Sequence, residues 1–365
     1  MFVAGLQLSR AFYAEAVQPL LEEVPHSAAR IGPGSEVLGF DTPRSADHEW
    51  GPRLEVFLSP ADAGRIPELH RRLAEHLPRT FHGWPTHFEP VEGDHAGRMT
   101  PTDGPVRHRV GLTTVEEWCQ ERLGVDPRRG LSSGDWLATP AQALAEATAG
   151  AVFHDGLGEL EPLRAVLAWY PPDVWRYVLA CQWRRIAQEE AFVGRTGEVG
   201  DELGSAVVAA RLVRDLMRLA LLLHRRYPPY SKWLGSAFAA LPVASALDPA
   251  LRGALAATTW HERERHLVTA YETLAAAQND TGLAAPVDPT TRPYFSRPFQ
   301  VLKADRFADA LLAAVTDPVI AALPRVGAVD QHADNTDLLT DPRRSRAVAH
   351  TALSPELSAK HVHDT

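Results

Sequence analysis

Two small residues and two acids, set about a dozen positions apart, are the part of this sequence best suited to chemistry. Gly34-Ser35 closes the run Ser27-Ala28-Ala29-Arg30-Ile31, and Asp47-His48-Glu49 precedes Arg53-Leu54-Glu55-Val56-Phe57-Leu58. A glycine lets backbone amides approach phosphate oxygens closely, and a serine hydroxyl adds a donor. On an extended chain Asp47 and Glu49, two apart, turn their carboxylates to the same face, and His48 turns to the other. Paired carboxylates hold Mg2+, and two such ions about 3.5–4 Å apart stabilise the attacking and leaving oxygens of an in-line phosphoryl displacement. The chemistry expected is metal-assisted transfer at phosphorus, with Asp47 and Glu49 as metal ligands and Gly34 and Ser35 holding phosphate.

Other residues stand out less. Lysine occurs only at 232, 303 and 360, the remaining basic residues being arginine. Lys232, in Tyr230-Ser231-Lys232-Trp233, has the reach to contact terminal phosphates as a point charge, or lies over Trp233. Glu189 and Glu190, late on a helix, supply a candidate general base, with Glu190 preferred. Asp201 reads as the N-cap of a long helix, although a helix start carrying Ser205 also attracts anions. The spacing of His261 and His266 is one residue too long for a zinc-binding helix. Cys119 and Cys181 stand alone, with neither metal spacing nor a disulfide framework, so a reducing, cytoplasmic setting is expected.

These residues need elements to carry them. With 365 residues, 45% hydrophobic and 23% charged, the chain is long enough for two domains with real cores. Apolar spacing predicts a helix over 3–24, strands at 27–31, 53–58 and 108–115, a helix from Ser59-Pro60 to about Leu77, and a loop over 78–105. This order is an α/β unit. From Thr139 onward the pattern is helical, with helices near 172–192, 204–226, 230–241, 260–279 and 303–315. The expected organisation is an α/β domain over 1–135, an all-α helical bundle over 136–340 and a flexible tail over 341–365. A net charge of −9 argues against coating a long nucleic acid. No segment reaches the ~18 consecutive apolar residues of a membrane span.

The sequence of strand, Gly34-Ser35, spacer and Asp47-x-Glu49 resembles the active-site signature of the DNA polymerase beta-like nucleotidyltransferase superfamily. More closely, the run from Gly34 to Leu58, with Ser45-Ala46-Asp47-His48-Glu49-Trp50-Gly51-Pro52-Arg53, looks like an uncharacterised bacterial family carried as a domain of unknown function. Trp169-Tyr170-Pro171, Gln188-Glu189-Glu190, Gly200 to Ser205, Tyr227 to Trp233 and Asp330-Gln331 fit it too, so the resemblance covers most of residues 5–340. It implies an α/β (α+β) nucleotidyltransferase-type domain followed by a helical one, as in aminoglycoside nucleotidyltransferases. It also implies Mg2+-dependent transfer of a nucleoside monophosphate from a triphosphate to a hydroxyl of a small acceptor, with pyrophosphate leaving. Superfamily members add a third acid from a later strand. Here that strand has Gly111 at its centre, which leaves Glu89 and Glu116 as candidates. Failing those, the resemblance implies a nucleotide-binding or regulatory protein without turnover, like the antitoxin-like members.

Overall fold

In the computed structural model, which describes residues 2–91 and 96–354, the chain is mixed α/β, with a small mixed sheet and a helical C-terminal region. It divides into two compact units, Met1–Gly130 with Ala143–Ala168, and Leu131–Gln142 with Trp169–Thr365. The division is therefore not a single cut near residue 135. A segment beyond that point returns to the first unit.

In chain order the first unit contains α1 (Gly5–Phe12), β1 (His26–Arg30), β2 (Arg53–Leu58), α2 (Ile66–His76), the short pairs β3 (Thr80–Phe81) with β4 (Trp84–Pro85) and β5 (Phe88–Pro90) with β6 (Gly97–Met99), then β7 (Arg109–Thr113) and α3 (Val115–Leu123). After α4 (Ser133–Ala138) of the second unit come α5 (Ala141–Thr148), β8 (Ala151–Asp155) and α6 (Leu160–Leu167). The main sheet has the order β7-β2-β1-β8. β1 is antiparallel to both β2 and β8, and β2 is parallel to β7. The strand β8 lies where only helix is expected.

Alternation along β2 sets the layers. Leu54, Val56 and Leu58 join Ala28, Val110 and Leu112 in a core with Leu8, Phe12, Tyr13 and Val17, and with Leu69 and Leu73 of α2. On the opposite face Phe57 meets Trp118 of α3, ring centroids 6.2 Å apart. The N-terminal helix does not run evenly to residue 24. It passes into a π turn at Tyr13–Val17 and a 3-10 turn at Gln18–Leu20, because Pro19 has no amide to donate and its ring crowds the carbonyl four residues back. The start and stop of α3 are written locally: Thr114 and Glu117 form a capping box, and Gly124 takes the left-handed C-cap at φ 70°.

The second unit is helical, with α4, α7 (Pro172–Glu189), α8 (Phe192–Glu198), α9 (Glu202–Leu223), α10 (Ser231–Ala239), α11 (Ala244–Ala256) and α12 (Trp260–Asp280). A two-residue pair, β9 (Arg292–Pro293) with β10 (Gln300–Val301), leads to α13 (Asp305–Ala313), α14 (Pro318–Ala321), α15 (Val329–His332), α16 (Thr336–Leu339) and α17 (Pro342–Leu353). α9 is the axle, packed by α7, α8, α10, α11 and α12, and it buries Leu212, Leu216, Leu219 and Leu222. The expected tail is partly helix: α17 packs on α4, Asp341 caps it, and Arg346 pairs with Asp135. The rest of that tail, 355–365, lies outside the described residues. No helix of the described residues is long and apolar enough to cross a membrane.

Candidate functional site

Gly34 leaves β1 at φ 155°, and Ser35–Gly39 forms a turn in which the Phe40 amide donates to the Ser35 carbonyl (2.8 Å). A Cβ on Gly34 would lie 2.5 Å from Arg30 Nη2, 2.7 Å from Glu36 Oε2 and 2.8 Å from Arg53 Nη2. The glycine is thus the gap through which two guanidinium groups and a carboxylate crowd the turn. The Glu36 carboxylate is the hub. Its Oε1 accepts from Arg30 Nε (2.9 Å) and Arg53 Nε (2.8 Å), and its Oε2 is buried without a hydrogen-bond partner. Burial pushes the Glu36 carboxyl up, but Arg30 and Arg53 outweigh it and hold it below the ordinary value. Arg30 is itself buried and also donates to the Ile31 carbonyl (2.8 Å).

The acid pair is not on a strand. Asp47 ends a 3-10 turn, Pro43–Asp47. Glu49 sits at φ 46° in the left-handed region, and β2 begins only at Arg53. The reason is local: Thr42 and Pro43 start the 3-10 turn, and Gly51-Pro52 breaks the chain again before it becomes extended. The shared face expected for Asp47 and Glu49 is therefore not formed. Asp47 faces solvent, 56% exposed, with His48 Nδ1 2.9 Å from its Oδ1. Both oxygens of Glu49 are engaged. Oε2 takes Arg53 Nη1 (3.2 Å), and Oε1 takes Arg109 Nη2 (2.8 Å) and the Gly97 amide. The Glu49 amide returns a bond to the Gly97 carbonyl (2.8 Å). These contacts hold a non-glycine residue in an unfavourable backbone region. Arg30, Glu36, Arg53, Glu49 and Arg109 thus form a ladder of alternating charge.

Gly111, where a third acid was expected, stands opposite Glu55 in the β2–β7 register. A Cβ there would lie 1.9 Å from Glu55 Oε2, so the glycine is the space the glutamate occupies. Burial pushes the Glu55 carboxyl up, opposed by Arg30, Arg122 and Arg53. The other third-acid candidates go elsewhere. Glu89 is exposed on β5 beside His87 (3.7 Å), and Glu116 pairs with Arg129 (2.6 Å). Among the described residues no three His, Cys, Asp or Glu side chains converge as a metal-binding group. The carboxylates present therefore do not fit a two-metal cage. Gly111→Ala is expected to lower the thermal midpoint by several degrees, and adding Glu55→Ala is expected to restore part of the loss. A double-mutant cycle showing simple additivity would refute that steric coupling.

The second-unit candidates have mostly structural partners. Both oxygens of Glu190 are taken, by the amides of Leu302 (2.7 Å), Lys303 (3.2 Å) and Ala304 (3.0 Å). In this cradle Glu190, 7% exposed, anchors the start of α13, a task different from the general base expected of it. Glu189 holds Arg211 through two bonds. Lys232 is exposed in the first turn of α10, with Nζ 4.8 Å from the Trp233 ring centre. Asp201 caps α9 at the Gly204 amide (2.7 Å), and Arg263 binds Glu202 and Ser205. Cys119 and Cys181 are buried thiols, each pushed up to about 12 by burial, so neither offers a thiolate.

Sequence reasoning missed Arg30, Glu36, Glu55 and Arg109. Glu55 and Arg30 did carry a signal, as charged residues within short apolar strands, which must find partners when buried. Among known families, the chain is similar over residues 136–234 to one described as a domain of unknown function (DUF4037). No curated protein matches it.

Proposed function

We propose that the first unit binds a nucleoside triphosphate at the Gly34–Ser35 turn and transfers its nucleoside monophosphate to a hydroxyl of a small acceptor. The observation that carries this reading is the crowding of Gly34, which sets the backbone just before Ser35 against the guanidinium groups of Arg30 and Arg53. Guanidinium forks and closely approached backbone are the usual means of holding phosphate oxygens. The order helix, strand, strand, helix, strand around a mixed sheet supports the nucleotidyltransferase comparison. In this reading Ser35 donates to a phosphate oxygen, and Arg53, held by Glu36 and Glu49, keeps its fork fixed. Mg2+ brought by the triphosphate would offset its charge and lie against Asp47.

A second reading, a nucleotide binder without turnover, is favoured by one observation: Glu49 is committed to Arg53 and Arg109, so one carboxylate remains for the metal. Thermal melting with ATP, GTP, CTP and UTP, with and without Mg2+, followed by pyrophosphate release, separates the two. We expect a Mg2+-dependent rise of at least about 3 °C with one triphosphate, comparable to roughly 1 kcal/mol of linkage, and its loss in Asp47→Asn. Release of pyrophosphate supports transfer, and stabilisation without release supports the second reading. No shift with any triphosphate removes both.

A further inference from the structure

Along α9, Arg211, Arg214 and Arg218 recur at spacings of three and four and so share one helix face. With Arg185 of α7 they line an open cavity of about 520 Å³ in the second unit, bounded on another side by Asp330 and His332 of α15. The two deeper arginines are fixed. Arg218, 7% exposed, is paired with Asp330, 8% exposed. Arg185 is held by both oxygens of buried Asp215 (3.3 Å each) and donates to the Gln331 carbonyl (2.6 Å). Asp215 and Gln331 are fixed in turn by Gln182, which donates to the Asp215 carbonyl (3.0 Å) and accepts from Gln331 Nε2 (3.0 Å).

The two outer arginines differ from these in being nearer solvent. Arg214 donates through Nη2 alone to Asp334 (2.9 Å), a carboxylate 69% exposed, and Arg211, 58% exposed, reaches Glu189. The single-bonded Arg214–Asp334 pair is of the exposed kind worth about 0–1 kcal/mol, so an incoming anion displaces it at little cost, whereas Arg211 keeps two bonds to Glu189. A guanidinium has five N–H donors, and the ion pairs of Arg214 and Arg218 each engage one nitrogen, Nη2. At the wall, both ring nitrogens of His332 are buried without a hydrogen bond of ordinary geometry. Burial lowers the pKa of that ring, with the Val326 backbone and Asp330 opposing, so it stands as a neutral donor and acceptor. Val207, 55% exposed, adds an apolar shelf.

We propose that this cavity binds a small organic phosphate monoester, the phosphate on Arg214 and Arg218 and the organic part against the Val207 side. Planar, pre-positioned forks match phosphate oxygens better than flexible ammonium groups do, and the volume is that of a small-molecule site. This proposal stands apart from the Gly34–Ser35 reading, since every residue in it belongs to the second unit.

Calorimetric titration of the full chain with adenosine monophosphate and with inorganic phosphate tests it. Adenosine monophosphate is expected to bind, with inorganic phosphate about tenfold weaker, a gap of ~1.4 kcal/mol. Arg211→Ala/Arg214→Ala, removing one exposed and one half-buried guanidinium, is expected to weaken binding about tenfold or more while leaving the thermal midpoint near that of the parent. Arg214→Lys is expected to recover part of the affinity. Binding that survives Asp47→Asn and falls with the double arginine variant seats the ligand in the cavity, and binding lost with Asp47→Asn places the ligand in the first unit and overturns the proposal. So does the absence of millimolar binding by either probe, equal affinity for both, or affinity untouched by the double arginine variant.

Discussion

Glu190→Ala is expected to destabilise the second unit by about 3 kcal/mol or more, because three backbone amides lose their acceptor and each buried orphan costs roughly 1–3 kcal/mol. The amides belong to Leu302, Lys303 and Ala304, so the loss should be felt first at the start of α13 and in its packing on α7. The same carboxyl has a pH signature. Burial pushes it up to about 7 from the ordinary 4.5, against the pull of the three amides. Between those values the folded protein holds a proton that the unfolded chain releases. Its contribution is therefore full below pH 4.5, declines as pH rises to about 7 and is flat above. The total is about 3 kcal/mol. Denaturant unfolding at several pH values should show this decline in the parent and not in Glu190→Ala. A variant with unchanged stability and an unchanged pH slope would show that the cradle carries no energy.

Arg30→Met is expected to cost about 3–5 kcal/mol, the usual penalty for removing one partner of a buried ion pair. Methionine fills much of the volume but leaves Glu36, 1% exposed, with Arg53 as its remaining cation. The acid limb should change as well. Glu36 is held below 4.5 by its two arginines, so it stabilises the fold above that pH and loses this contribution as pH falls. Without Arg30 that acid-labile portion should shrink. If stability falls by less than 1 kcal/mol and the acid limb is unmoved, the ladder around Gly34 is decorative. Triphosphate titration of the same variant is expected to be weaker, since Arg53 loses the fixed hub that orients it.

How much was legible in the sequence follows physical range. β2 was read within its bounds because alternation of Leu54, Val56 and Leu58 is a local signal. The signals that bound α3 are equally local, a capping box at Thr114 and a glycine in the left-handed cap. By contrast, Glu49 finds Arg109 across sixty positions, and Glu55 meets Gly111 only through a parallel register. Neither pairing leaves a trace in spacing. Asp47 and Glu49 read as extended because the residues after them are, whereas Gly51-Pro52 breaks the chain between Glu49 and the start of β2 at Arg53. Glu190 reads as a candidate base as an acid late on a helix, and nothing near it in sequence announces an amide cradle more than a hundred residues away. The helix α17 was hidden by its polar composition, since its anchor, Asp135 on Arg346, is distant too.

β8 has a consequence for synthesis and for fragments. β1 is hydrogen-bonded along Ser27 to Arg30 to this strand, and Asp155 also takes the Ser27 hydroxyl (2.8 Å) and the amides that open α6. The intervening residues 131–142 belong to the other unit. A nascent chain therefore carries β1 with a bare edge until Asp155 has left the ribosome, after part of the neighbouring unit has already emerged. A fragment cut at residue 135 would keep that edge permanently open, an invitation to strand-on-strand aggregation, whereas one carried through Ala168 would close it.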